Sequence, residues 1–123
     1  MINKLFTVQQ ANKRLPLVKK IVGDILSKGQ QARVVLAKHQ GQKTPPEIFE
    51  LEEEIKALMV ELEDLGCYFK DWNFQIGLVD FPAEINGKIV LLCWRSDEKY
   101  IRWYHAYEDG YAGRKLIPEN LLE

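Results

Sequence analysis

A chain of 123 residues with 46% hydrophobic and 28% charged side chains has the composition of one globular domain, long enough for a true core. A formal net charge of −1 supplies neither the global basicity that argues for nucleic acid nor the acidic excess that argues for disorder. The two cysteines, Cys67 and Cys93, form no CxxC pair, and too few other soft ligands accompany them in sequence to mark zinc, so neither metal nor cofactor is expected.

The residues after Met1, Ile2-Asn3-Lys4-Leu5-Phe6, lack the apolar h-region of a signal peptide. The longest apolar run, Ile89 to Trp94, is far too short to span a bilayer. The expectation is a cytoplasmic protein without a membrane segment.

The first helix opens at Thr7, where Thr7-Val8-Gln9-Gln10 reads as a capping box, with Phe6 and Ala11 as a hydrophobic staple. Apolar residues then recur with helical period from Leu15 through Val18, Ile21, Val22, Ile25 and Leu26 to Ala32, Val35 and Leu36. Pro16 removes one backbone bond inside this pattern, which predicts a kink near residues 12 to 16. Gly23 and Gly29 each cost about 1 kcal/mol against Ala, so tertiary packing has to hold this helix.

A second capping box is expected at Thr44, with Pro45 at the first helical position and Glu47 completing it. From there Ile48, Leu51, Ile55, Leu58, Leu62 and Leu65 form an a/d seam, and Gly66 supplies a left-handed stop. A short polar connection, His39 to Lys43, makes the two helices an antiparallel hairpin over residues 7–66. Residues 1–45 carry nine basic side chains against Asp24 alone, whereas residues 46–66 carry eight acids against Lys56. Mutual pairing along the hairpin accounts for this division better than docking on a polyanion, which the acidic helix would repel.

Residues 67–114 read as an antiparallel β-meander, with a tail at 115–123 that has room for one helical turn. Cys67 to Lys70 is a brief edge strand, and Asp71 to Asn73 lead into three apolar runs, Gly77–Ala83, Lys88–Arg95 and Ile101–His105. Asn86-Gly87 tolerates positive φ at both positions and marks a tight hairpin. That turn pairs Ile85 with Lys88, Phe81 with Leu92, Asp80 with Cys93 and Val79 with Trp94. One face, with Val79, Phe81, Ala83, Val90, Leu92 and Trp94, is wholly apolar and belongs against the helices. A four-residue turn at Ser96 to Lys99 would add Ile101, Trp103 and His105 to that face and leave Asp80 on the other, with Arg102 and Tyr104 beside Cys93; a one-residue slip or a bulge would reverse the assignment of this third strand. Overall the expected class is α+β, a helical hairpin packed on a small antiparallel meander.

Several segments together resemble one known family. They are Phe6-Thr7, Ala11-Asn12, Leu15-Pro16, Leu65-Gly66, Gly77 to Ala83, Leu92 to Arg95, and His105 with Gly110-Tyr111-Ala112-Gly113-Arg114. The pattern resembles the prokaryotic domain of unknown function 2203 over nearly the whole chain, with the string Gly-Leu-Val-Asp-Phe-Pro-Ala as its most specific part. It departs from that family where Tyr104 precedes His105 in place of Trp, and where Asp71 to Gly77 is long. The family has no established activity, so the resemblance implies a fold and a site without naming a reaction.

Asp80 is an unusual mid-strand residue, read as the ion-pair partner of Arg95, Arg102 or Arg114 or alternatively as a general base. His105 is read as a hydrogen-bonded structural histidine with general base as the alternative, and Cys93 as a packing thiol. The loop Gly110 to Arg114 offers backbone N–H groups at Gly110 and Gly113 and the Arg114 fork, a combination suited to carboxylate or phosphate. The candidate ligand-binding residues are therefore Asp80, Arg95, His105, Gly110, Gly113 and Arg114.

The leading functional reading is a non-enzymatic binding or assembly module, because no nucleophile–base pair stands out and the second helix has coiled-coil regularity. The alternative is a small enzyme or anionic-ligand-binding protein built on Asp80, Arg95, His105 and Arg114. Leu78, Ile89, Leu91, Cys93 and Tyr104 on the second sheet face predict a two-fold homodimer, formed there or through an extended helical bundle.

Overall fold

A computed structural model describes residues 4–39, 43–70 and 74–122. The middle of the inter-helix connection and the lead-in at Asp71 to Asn73 lie outside the described residues. Helix α1 (Val8–Lys38) starts at the expected cap: the Thr7 hydroxyl accepts from the Gln10 amide, and the Gln10 side chain accepts from the Thr7 amide, both at 3.1 Å. At 31 residues the helix is about 46 Å long. It runs through Pro16 as one continuous element.

Helix α2 (Pro46–Asp64) starts one residue later than expected and without a capping box. Pro45 is the N-cap, Pro46 the first helical residue, and no side chain caps the end. Two consecutive prolines explain the shift: Pro45 fixes an extended φ of −63° with ψ 146°, while Pro46 has no N–H that needs a cap. The seam holds, with Ile48, Ile55 and Leu62 buried, and Gly66 closes the helix at φ +94°. Lys28 of α1 pairs with Glu54 of α2 at 2.5 Å, so the opposite charges do meet across the hairpin.

Five antiparallel strands follow in the order of the chain: β1 (Tyr68–Phe69), β2 (Leu78–Ile85), β3 (Lys88–Arg95), β4 (Trp103–Ala106) and β5 (Lys115–Leu116). Asn86 and Gly87 both have positive φ, and the β2–β3 register has Ile85 opposite Lys88 and Asp80 opposite Cys93, as the turn predicts. The tail supplies β5 as an unanticipated fifth strand and then the expected helical turn, α3 (Glu119–Leu122). Phe6 adds a bridge to Ala83, and its ring meets Phe81 edge to face at 5.4 Å. Val79, Phe81, Ala83, Val90, Leu92 and Trp94 face α1 and α2 in one core that also contains Leu15, Val18, Val22, Ile25 and Leu62.

The register of β4 departs from expectation. Cys93 stands opposite Trp103 and Leu91 opposite His105, a slip of one residue that turns Trp103 and His105 to the face carrying Asp80. Asn12 on α1 is the physical reason. Its carboxamide accepts from Ile101 N–H at 2.8 Å and reaches the Ile101 carbonyl at 3.4 Å, replacing two ladder bonds. Ile101 is thereby held in the core outside the strand, the indole N–H of Trp94 donates to the Glu98 carbonyl, and pairing resumes at Trp103 with the opposite parity.

Candidate functional site

On the sheet face turned away from the helices, three strands place one chemical side chain each at neighbouring register positions. Asp80 comes from β2, Cys93 from β3 and His105 from β4, and all three are buried, at 4, 2 and 4% exposure. A buried carboxylate demands a partner. The partner of Asp80 is not the arginine that the sequence suggests, and His105 shares its face instead of lying on the opposite one. His105 Nε2 lies 3.3 Å from Asp80 Oδ1, and the Cys93 Sγ lies within 4.8 Å of both groups.

The imidazole is oriented by its second nitrogen. Nδ1 lies 2.9 Å from the Ala106 carbonyl, which only accepts, so Nδ1 carries a proton and donates. The remaining atom, Nε2, faces the Asp80 carboxyl. Burial pushes the Asp80 carboxyl above its ordinary range, with His105 and Lys70 opposing that rise. Burial pushes the Cys93 thiol up to about 12, reinforced by the neighbouring Asp80.

These groups form the floor of a cleft of about 280 Å³ together with Leu78 and Leu91. Lys70, Tyr107, Asp109, Gly110 and Tyr111 make its wall. A larger groove of about 830 Å³ runs between the helices, but its lining, such as Lys28, Val34, Glu50 and Leu51, contains no buried ionisable group. Chemistry therefore concentrates at the smaller cleft.

Of the predicted site residues, Asp80, His105 and Gly110 meet at this cleft, whereas Arg95, Gly113 and Arg114 stand beside it. Arg95 Nε pairs with Asp97 at 2.6 Å and its Nη1 donates to the Tyr111 hydroxyl. The Arg114 guanidinium pairs with Glu98 and lies 4.5 Å from the Trp103 ring centre and 4.9 Å from that of Tyr111. Gly113 N–H donates to the Gly110 carbonyl in a single 3₁₀ turn, Tyr111–Gly113. The arginines thus hold Tyr111 in the wall and have carboxylate partners of their own.

Cys93 is the member of the floor that sequence reasoning left among packing residues. Its place opposite Asp80 is readable from the Asn86-Gly87 turn; the arrival of His105 beside it depends on the Asn12 contact. Spacing along the chain offers no metal-ligand pattern, but the sheet assembles one across strands: a ligating atom from each of Asp80, Cys93 and His105 lies within 4.8 Å of the others. No helix among the described residues is long and apolar enough to cross a membrane.

Compared with known families, residues 4–117 match the model of DUF2203, described as an uncharacterized conserved protein. Neither a curated protein nor a solved structure matches the chain.

Proposed function

The chain belongs to the DUF2203 family, and we propose that it is a small-ligand-binding protein whose ligand sits in the cleft over Asp80, Cys93 and His105. One observation carries this reading: two ionisable side chains and a thiol are buried together at the floor of a concavity, on a sheet face otherwise lined by Leu78 and Leu91. Burying such groups costs folding free energy unless they are paired, and a fold that needed only packing would use apolar residues there. A volume near 280 Å³ suits a metabolite or an ion. An anion gripped by Arg95 and Arg114 has less support, since both are already paired with Asp97 and Glu98. A reducing, cytoplasmic setting suits two unpaired cysteines.

Gly110 provides the test. Its φ of −99° suits any residue, and a Cβ there meets nothing within 4 Å, so Gly110→Trp adds bulk at the cleft wall without backbone strain. Native mass spectrometry and a thermal-shift panel of small carboxylic acids, amines and sugars should reveal a ligand on the unmodified protein and none on Gly110→Trp of unchanged fold. A bound compound that persists in Gly110→Trp, or none in either protein, would falsify the reading.

A second reading, self-association through the hairpin, has its own observation. Val34 and Leu36 on α1 and Phe49 and Val60 on α2 are each about half exposed. A basic α1 beside an acidic α2 is self-complementary under a two-fold axis, so the occupant of this surface is a second copy of the chain.

A further inference from the structure

Electron-pair accounting at the cleft floor leaves a gap between two acceptors. With its Nδ1 proton committed to the Ala106 carbonyl, a neutral His105 directs the Nε2 lone pair at Asp80 Oδ1, 3.3 Å away. A lone pair and a carboxylate oxygen face each other stably only with a positive species between them, either a proton or a metal ion. A proton would make this a long hydrogen bond, and the same separation also fits a metal ion. Two ligands bound at about 2.0–2.1 Å with tetrahedral angles stand about 3.3 Å apart.

We propose that Asp80, Cys93 and His105 bind one divalent transition-metal ion of the zinc type through a carboxylate oxygen, Sγ and Nε2, leaving its fourth position open to the cleft. This rests on the reading of the cleft as a ligand site and adds the metal ion that such a ligand would meet. Three observations converge on it. The three ligating atoms lie within 4.8 Å of one another. A backbone carbonyl on the far nitrogen of an imidazole is the arrangement that orients metal-bound histidines. The mixed nitrogen, sulfur and oxygen donors select zinc, cobalt or iron over magnesium or calcium, which take oxygen alone.

The ligands also come from three hydrogen-bonded strands, so the set is preorganised by the sheet and not by a mobile loop. Coordination replaces the Cys93 S–H bond by an S–metal bond, and the thiol proton leaves to solvent. Three protein ligands with one open position are the pattern of a zinc ion that meets substrate or water. The cleft wall with Lys70, Tyr107 and Tyr111 stands over that position.

The test uses the full chain stripped with a chelator and titrated with Co²⁺ alone. One Co²⁺ per chain is expected, with the near-ultraviolet thiolate charge-transfer band and the intense visible bands of four-coordinate cobalt, all displaced by Zn²⁺. Cys93→Ser should abolish the charge-transfer band, Asp80→Asn and His105→Gln should weaken binding by about tenfold or more, and Cys67→Ser should retain the band. X-ray absorption on the Zn²⁺-loaded unmodified chain needs no variant, and should give one sulfur near 2.3 Å among nitrogen and oxygen ligands near 2.0–2.1 Å. A zinc shell without sulfur, a charge-transfer band that survives in Cys93→Ser, or a folded protein that takes up no Co²⁺ would each overturn the proposal. If the metal fails while Gly110→Trp still removes a bound organic ligand, the metal falls and the ligand cleft stands.

Discussion

Gly23 and Gly29 both interrupt the period of α1 and read alike in sequence, yet their surroundings differ in kind. A Cβ at Gly23 meets nothing within 4 Å, whereas one at Gly29 falls 2.5 Å from Phe74 Cβ and 2.4 Å from its Cγ. Phe74 has little freedom to withdraw: it has a φ of +56°, its carbonyl accepts from the Gln30 side chain at 2.8 Å, and its ring stacks on Phe69. Gly29 is therefore the contact that lets the segment before β2 lie on the helix. Gly23→Ala should stabilise the protein by about 0.5–1 kcal/mol through helix propensity. Gly29→Ala should destabilise it by about 1–3 kcal/mol through overpacking. Urea denaturation of the two variants checks the signs, and a shared sign would mean that α1 is not held against Phe74 as described.

The elements differ in how far their own residues determine them. Thr7 and Thr44 carry the same capping signature, but only Thr7 caps a helix, because Pro45-Pro46 sets the start of α2 by backbone geometry. Thr7→Ala should cost about 1 kcal/mol, and Thr44→Ala should stay within about 0.5 kcal/mol of the unmodified protein by thermal or chemical unfolding. Comparable losses at both sites would restore the second capping box. The same contrast marks what was legible in the sequence. Helical period, the Gly66 stop and the Asn86-Gly87 hairpin act through neighbours, and they correctly placed α1, α2, β2, β3 and the apolar sheet face. The parity of β4 depends on Asn12, 89 positions from Ile101 in the chain, and no local pattern carries that contact. For this reason Asp80 and its cross-strand neighbour Cys93 could be read, and His105 as their companion could not. Arg95 and Arg114 stand out in sequence by charge; the Arg95–Asp97 pair is local to one turn, whereas Arg114 reaches Glu98 from 16 positions away, a contact that spacing does not show.

At the scale of the whole molecule, the second sheet face is less open than its sequence implies. Leu91 and Cys93 are 8 and 2% exposed within one chain, with Tyr107, Gly110 and Tyr111 walling the cleft above them. The tail turns the other way: Ile117 joins the helix-side core, and Leu121 packs against it with its carbonyl accepting from Gln9. Burial of Leu91 within the chain removes one apolar contact that a second-face dimer would use, while Ile89 on that face stays about half exposed. The hairpin is different. Ile48 is buried outside the main core cluster, and Val34 and Leu36 on the basic α1 and Phe49 on the acidic α2 are each about half exposed. In the proposed hairpin dimer a two-fold axis would set each α1 against the partner's α2, covering Val34 and Phe49 while matching charge. Sedimentation at tens of micromolar should then show a dimer that weakens in about 1 M salt, where screening shrinks to about 3 Å. Combined Val34→Ser and Phe49→Ser should yield a monomer whose unfolding midpoint falls only by the lost association and no longer depends on protein concentration. Leu91→Lys should instead lower the unfolding midpoint, because it places a charge in a buried position. A double variant that stays dimeric, or a Leu91→Lys protein that dissociates without losing stability, would move the interface from the hairpin to the sheet.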